Sequence, residues 1–257
     1  MRIATYNVNG VNGRLPVLLA WLEATKPDIV CLQELKAPDD KFPAQEIEDA
    51  GYGSIWHGQK SWNGVAILAR GCVPTETRRG LPGEPDDVQS RYLEAAVRGL
   101  LIGCLYVPNG NPRPGPKFDY KLRWLDRFHA HAATLIGTAA PVVLAGDYNI
   151  IPTTRDAYKP ERWTEDALFF LPVREAFEAL AKQGWIDALR RTYPDETIYT
   201  FWDYFRRAFD RDAGLRIDHL LLNAKAAKRL VTAGVDRSAR AMEKTSDHAP
   251  VWIELKD

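Results

Sequence analysis

Short apolar runs that end on an amide or a carboxylate recur along this chain, and they restrict its fold more than any other feature. Pro141-Val142-Val143-Leu144-Ala145 leads into Gly146-Asp147-Tyr148-Asn149, and Asp28-Ile29-Val30-Cys31-Leu32 leads into Gln33-Glu34-Leu35-Lys36. Successive strand side chains point to opposite faces, so an unbroken apolar run fits a strand covered on both sides. Other segments have helical spacing. Leu15, Leu18, Leu19 and Leu22 repeat at that spacing and stop near Lys26-Pro27, where proline cannot continue a helix. The spacing predicts strands at Arg2–Asn7, 28–33, 64–69, Tyr92–Val97, 100–107, 141–145, 198–202, 215–223 and 250–255, with helices over 118–136 and 173–182. Strands and helices interleave throughout, which is the pattern of an α/β protein. The most Pro/Gly-rich stretch, 107–116, is long enough for a loop and too short for a linker, so the 257 residues read as one domain.

Composition excludes several classes. No stretch approaches the roughly 20 apolar residues of a membrane helix. The N-terminus enters its first strand with no signal-peptide pattern, which leads us to expect a cytoplasmic protein. Cys31, Cys72 and Cys104 are odd in number and widely spaced, so they suit neither a disulfide framework nor a thiolate zinc site and read as small buried core residues. Lys+Arg and Asp+Glu balance at 34 each, yet the charge is uneven. Acidic residues crowd positions 28–49. Arg206, Arg207, Arg211 and Arg216 cluster further on, and a local basic face can bind nucleic acid whatever the net charge.

Five strand ends carry chemistry. In Asn7-Val8-Asn9-Gly10 the two amides can face the same way, although alone the segment reads as an Asn-Gly turn. Glu34 and Lys36 alone would be a strand-end ion pair. In Tyr106-Val107-Pro108-Asn109-Gly110 a phenol and an amide meet a rigid turn, and a buried tyrosine with a satisfied hydroxyl fits as well. Asp147 and Asn149 share one face beyond a very apolar strand, where they can activate and orient a water. His248, beside Asp247 and with Asp218 elsewhere in the chain, fits an imidazole oriented by a carboxylate. Together these carboxylates and amides, with one histidine and no cysteine, form a hard, oxygen-rich set suited to Mg2+ or Mn2+ and to phosphate ester hydrolysis.

The same segments, with Trp62-Asn63-Gly64-Val65-Ala66-Ile67-Leu68, Leu215-Arg216-Ile217-Asp218-His219 and Ser246-Asp247-His248-Ala249-Pro250-Val251, resemble the exonuclease III family of abasic-site endonucleases in order and spacing. The stretch 80–87 followed by Arg91, and Tyr120-Lys121-Leu122-Arg123-Trp124, are similar to that family too. The resemblance implies a four-layer α/β sandwich, two β-sheets packed face to face between helices, as a single endonuclease/exonuclease/phosphatase domain over residues 1–257. It implies Glu34 as principal metal ligand with Asn7 and Asp247 near the ion, Asp147 as activator of water and Asn149 as its orienting neighbour. His248, held by Asp218, would meet the scissile phosphate. Tyr106 and Asn109 would stabilise the phosphate or leaving group. Lys36, Arg91, Phe201, Trp202, Arg206, Arg207 and Leu215 would face the substrate, the apolar ones entering the gap left by a missing base. The implied activity is a Mg2+-dependent (or Mn2+-dependent) DNA repair phosphodiesterase, a monomer that cuts double-stranded DNA 5′ to abasic sites, degrades it as a 3′-to-5′ exonuclease and trims blocked 3′ ends. Two alternatives are the same chemistry on RNA, a phospholipid or an inositol phosphate, and a non-catalytic nucleic-acid-binding regulator.

Overall fold

The computed structural model describes residues 1–256. In chain order the elements are β1 (Arg2–Asn7), α1 (Val11–Thr25), β2 (Ile29–Gln33), α2 (Ala44–Asp49), β3 (Tyr52–His57), β4 (Val65–Arg70), β5 (Thr75–Arg79), β6 (Tyr92–Val97), β7 (Leu100–Tyr106) and α3 (Pro116–Ile136). They continue with β8 (Val142–Asp147), α4 (Leu171–Gln183), β9 (Ile186–Asp187), α5 (Ala188–Thr192), β10 (Asp218–Leu222), α6 (Ala224–Ala227), β11 (Leu230–Val235), α7 (Arg237–Arg240) and β12 (Val251–Leu255). One six-stranded sheet has the order β11-β12-β1-β2-β4-β3, and the other β5-β6-β7-β8-β10-β9. Within each sheet one pair is parallel, β1 with β2 and β7 with β8.

The apolar runs are continuous because each central strand is buried twice. Ile3, Ile29, Cys31 and Ile67 of the first sheet meet Leu93, Ile102, Val143 and Leu220 of the second in the core between the sheets. The alternate residues Ala4, Tyr6, Val30 and Leu32 pack under Leu18, Trp21 and Leu22 of α1. On the far side, Tyr92, Leu105, Val142 and Leu144 pack under Trp124 and Phe128 of α3 and Phe177 of α4. Helix, sheet, sheet and helix make four layers. Each fully buried Leu or Ile contributes roughly 1.5–3 kcal/mol to this core.

The differences from expectation have physical reasons. β3, β5 and β11 escape an apolar-run reading. β5 is an exposed edge strand of polar residues, and β3 and β11 are the edges of the other sheet. The stretch 198–202 is not a strand, because Phe201 pairs only through isolated bridges to Leu215 and His248. Cys72 is exposed, in the turn after β4, unlike the buried Cys31 and Cys104. No helix among the described residues is long and apolar enough to cross a membrane.

Arg216 does not join the basic surface expected of it. It is buried, with Nε donating to Asp156 Oδ1 at 2.6 Å and Nη1 to Asp187 and to His219 Nδ1 at 3.0 Å. Arg190 Nη2 also reaches Asp156 Oδ1, at 2.7 Å. Burial opposes ionisation of Asp156, but Arg216, Thr153 and Arg190 outweigh it and hold the carboxyl at about 2. His219 is pushed down to about 4 by burial and by Arg216.

This cluster makes stability acid-sensitive. Between pH 6.5 and 4 the unfolded chain takes up a proton at residue 219 that the folded chain refuses, so stability is complete above pH 6.5 and falls as pH drops, by about 3 kcal/mol. Urea unfolding from pH 7.5 to 4 should show this loss, and His219→Gln should flatten it. Parallel curves for the two proteins would assign the acid sensitivity to other groups.

Candidate active site

The sheet registers bring the polar strand ends to one edge of the sandwich. Asn7 at the end of β1 lies beside Gln33 at the end of β2, with Glu34 following. On the facing sheet Asp147 at the end of β8 lies between Tyr106 of β7 and Asp218 of β10. A Cβ at residue 146 would stand 1.9 Å from Leu105 O, so only glycine lets β8 approach β7 just before Asp147. Asn9, Glu34, Lys36 and Asn149 adopt left-handed backbone, φ 48–57°. Asparagine tolerates that conformation, but at Glu34 and Lys36 it costs on the order of 1 kcal/mol, a local strain held by the surrounding packing.

One hydrogen-bonded network joins the two sheets. Asn7 Nδ2 donates to Glu34 Oε2 and to Asp147 Oδ2, both at 2.9 Å. Lys36 Nζ lies 2.8 Å from Glu34 Oε1, and the Tyr106 hydroxyl donates to Glu34 Oε2 at 3.1 Å. The Asn149 backbone N–H donates to Asp147 Oδ1 at 2.9 Å, while its side-chain Nδ2 donates to Val107 O at 2.9 Å and to Asp147 Oδ2 at 3.3 Å. Asn109 Nδ2 donates to Asn149 Oδ1 at 3.2 Å. His248 Nδ1 bonds Asp218 Oδ2 at 2.9 Å, and its Nε2 points toward Asp147 Oδ2, 3.8 Å away. Asp247 joins through Asn9, whose Nδ2 donates to Asp247 Oδ1 at 3.0 Å.

Burial sets the protonation. It opposes the charge on His248, but Asp218, then Asp147 and Asp247, outweigh it and raise the imidazole above its ordinary value. Burial raises Asp147 out of the usual carboxylate range, and Asp218 adds to the effect against His248 and Asn7. Burial, with Glu34 and Asp147 nearby, pushes the Tyr106 phenol up and keeps it a neutral donor.

The residues expected to be catalytic (Tyr106, Asn109, Asp147, Asn149, Asp218 and His248) thus share one network with Asn7 and Glu34, and Asp247 adjoins it. Asp147, Asp218 and His248 each place a ligand-type atom within 4.8 Å of the others. That trio already carries the imidazole's own proton, whereas Glu34, Asn7 and Asp247 offer oxygen donors of the kind a hard divalent cation takes. Arg91 lies at the rim, its guanidinium 4.9 Å from the Tyr106 ring centre and its Nη1 donating to Tyr106 O at 3.2 Å.

The substrate-facing aromatics are distributed differently from expectation. Phe201 stands edge-on to His248, with ring centres 5.0 Å apart. Leu215 is buried beneath it, among Ala157, Leu168 and Ile217. Trp202 is fully buried, its Nε1 donating to Asp212 Oδ1 at 2.9 Å and its ring edge-on to Phe209, so it has no face to offer a ligand. The exposed aromatic is Phe205, 74% accessible, beside the exposed Arg206 and Arg207. It lines a cleft of about 530 Å³ that also holds Tyr158, Arg162, Trp163 and Arg211. On the other rim Trp62 is equally exposed, 5.6 Å from Lys36 Nζ.

Three more residues support the site, of which the sequence singled out Asn9, in the turn after β1, and gave Thr200 and Lys121 no role. Asn9 links Lys36 and Asp247. Thr200 Oγ1 donates to Asp218 Oδ2 at 2.7 Å. Lys121, buried in α3, donates to the carbonyls of Asn109, Asn149 and Ala167 at 3.1, 2.6 and 2.9 Å, tying down the two loops that carry the site asparagines. A signal for Lys121 exists, because it takes a core position in the helical series Phe118, Lys121, Leu125, Phe128.

Known proteins share this arrangement of strands. The chain is 35% identical to exodeoxyribonuclease III of Haemophilus influenzae, covering all of both sequences. Its structure matches that of a 3′-5′ exonuclease from Neisseria meningitidis with a TM-score of 0.97 at 40% identity, and that of an AP endonuclease from Archaeoglobus fulgidus with 0.96 at 34% identity, each over the whole of both chains. Residues 4–248 match the Endonuclease/Exonuclease/phosphatase family, and with that span of the sequence and the whole fold in agreement the chain belongs to this family.

Proposed function

We propose that this protein is a divalent-metal-dependent DNA repair phosphodiesterase that cuts double-stranded DNA 5′ to abasic sites and trims blocked 3′ ends. The observation that carries the reading is the network running from Glu34 through Asn7 to Asp147 and His248, which sets an oxygen-donor site beside a base and a cation. The similarity to an exodeoxyribonuclease III and an AP endonuclease supports DNA as the substrate. Twelve strands among the described residues, in one pair of packed sheets, support a single domain over 1–257. Free thiols at Cys31, Cys72 and Cys104 fit the reducing cytoplasm.

Each group has a task that follows from its surroundings. Glu34, with Asn7 and Asp247, would hold Mg2+, or Mn2+ in its place, and the ion would neutralise the phosphate and its leaving oxygen. Asp147, lifted by burial toward working pH, is suited to take a proton from the attacking water, which Asn149 orients. His248, kept charged by Asp218, presents a cationic donor to the scissile phosphate. Tyr106 and Asn109 donate hydrogen bonds to the developing charge, and Arg91 and Lys36 fix Tyr106 and Glu34 in place. On the outer face Phe205 is the exposed wedge for the gap left by a missing base, with Phe201 and Leu215 behind it and Arg206 and Arg207 on the backbone.

A duplex carrying one abasic analogue, incubated with Mg2+ or with EDTA beside an intact duplex and a 3′-phosphate end, tests the whole reading. Glu34→Gln should raise the Mg2+ needed for half-maximal cutting, since an amide is a poorer ligand for a hard cation. Asp147→Asn should keep the metal response and lose roughly 10²–10⁴-fold in rate. An unshifted Mg2+ response for Glu34→Gln, or near wild-type turnover for Asp147→Asn at saturating Mg2+, would refute the role assigned to that residue.

His248→Ala should cost more than Asp218→Ala, because an imidazole without its carboxylate still reaches the phosphate, though poorly aligned and less charged. An inert Asp218→Ala beside a dead His248→Ala would separate the two residues.

Phe205→Ala should slow abasic-site cutting more than 3′-phosphate removal, where no internal gap is filled. Trp202→Ala should instead destabilise the fold by about 3–5 kcal/mol and affect both substrates alike. Equal losses on both substrates for Phe205→Ala, with unchanged folding, would move the recognition element elsewhere.

A further inference from the structure

The turn that carries Phe205 has a second basic cleft on its other side. This cleft, about 410 Å³, is lined by Gly13, Arg14, Tyr204, Lys244 and Thr245. It lies beside the metal-binding carboxylates. The Tyr204 hydroxyl donates to Thr245 O at 2.9 Å and accepts from Asn9 Nδ2 at 3.3 Å, and the same Asn9 nitrogen donates to Asp247 Oδ1. A Cβ at Gly10 would stand 3.6 Å from Arg14 Nη1 and 3.7 Å from Lys36 Cδ, so both cationic side chains lie against the Asn9-Gly10 turn.

The charges in this cleft are uncompensated. Among the described residues neither Arg14 nor Lys244 has a carboxylate within ion-pair distance, whereas Lys36 nearby is neutralised by Glu34. Arg14 Nε is buried and has no hydrogen-bond partner, while the guanidinium touches the Tyr204 hydroxyl. An arginine held half-buried without an anion leaves donor capacity unused, and that capacity suits an oxyanion. Lys244 projects from a left-handed residue, φ 53°, at the opposite lip, three residues before Asp247.

We propose that the Arg14–Lys244 cleft is a phosphate subsite holding a backbone phosphate of the cleaved strand other than the scissile one. It rests on the DNA phosphodiesterase reading. The fork of Arg14 fits two phosphate oxygens, Lys244 adds a point charge, and Tyr204 sets the position of the guanidinium. Tyr204 and Phe205 are neighbours that face the two clefts, so the strand would be gripped on one side of the turn whose other side enters the damaged gap.

The test measures binding of a duplex with one abasic analogue, by fluorescence anisotropy in EDTA across a salt series. Arg14→Gln and Lys244→Gln should each weaken binding about tenfold and reduce the slope of log affinity against log salt by about one. Lys228→Gln, an exposed lysine on α6's C-terminal flank, should bind like wild type. Replacing single phosphates by uncharged methylphosphonates should reveal one position, distinct from the scissile phosphate, whose effect is present in wild type and absent in Arg14→Gln. Wild-type affinity in both variants, or an unchanged set of sensitive phosphates, would overturn the proposal. If wild type cuts abasic duplex and the variants match it, only the cleft assignment falls; if wild type neither binds nor cuts duplex, the functional reading falls and the cleft assignment with it.

Discussion

Two hydrogens on one amide nitrogen hold the active site together. Asn7 Nδ2 gives one to Glu34 on its own sheet and the other to Asp147 on the facing sheet, and among the described residues no other side chain bonds to carboxylates of both. Its Oδ1 accepts the Asn9 N–H at 2.9 Å, and its backbone carbonyl accepts the Ser246 hydroxyl at 2.7 Å. Both hydrogens of the amide are therefore committed while Oδ1 keeps a second lone pair, and the gap between the sheets is set at the candidate site. An aspartate there would have nearly the same shape, yet it would supply no donor and would add a third negative charge between Glu34 and Asp147. Hydrogen bonds to ionised groups contribute about 1.5–3 kcal/mol each, and repulsion would add to their loss.

Buried acids accumulate here only because each has its own donors. Glu34 has Lys36 and Tyr106, Asp147 has both nitrogens of Asn149, Asp218 has His248 and Thr200, and Asp247 has Asn9. The donors differ in kind, and the difference divides the labour. Asp218 stands against an imidazole that it helps to keep charged. Asp147 has amides and only a distant imidazole, so desolvation prevails and its pKa rises. Two chemically identical side chains, paired across neighbouring strands, thus stand in different surroundings, which on the proposed reading would suit one as an anchor and the other as a base.

The gathering of the polar strand ends was legible because strands impose simple rules. An apolar run buried on both faces has to end where its polar residues emerge, and Asn7, Glu34, Tyr106 and Asp147 all sit at such ends. The four-layer arrangement was not legible from periodicity and came from family resemblance. The recognition half obeyed no short period. Phe201 bridges both Leu215 and His248, so strand-like alternation sends Trp202 inward against Phe209, and Phe205 faces outward just before the chain turns through left-handed Arg206 and Arg207. Arg216 looked like surface charge from composition alone, since only the fold brings Asp156 and Asp187 to it. Lys121 was hidden for the opposite reason. A lysine in an amphipathic helix reads as a polar face, although its spacing with Phe118, Leu125 and Phe128 puts it in the core.

These two halves also differ in how they can change. Asn7, Asp147 and Asp218 are buried in strands of a doubly covered core, and Lys121 pins the asparagine loops from behind, so a small shift at any of them disturbs several hydrogen bonds at once. The turn at 203–207 stands on the surface between two clefts, and its exposed residues have few partners to lose. On the proposed reading, substitutions there would alter how DNA is gripped and how the gap is filled without moving a reacting group. The turn and its two flanks would then bear on the balance between internal cutting and end trimming, while the strand ends would keep the same phosphate chemistry for either substrate.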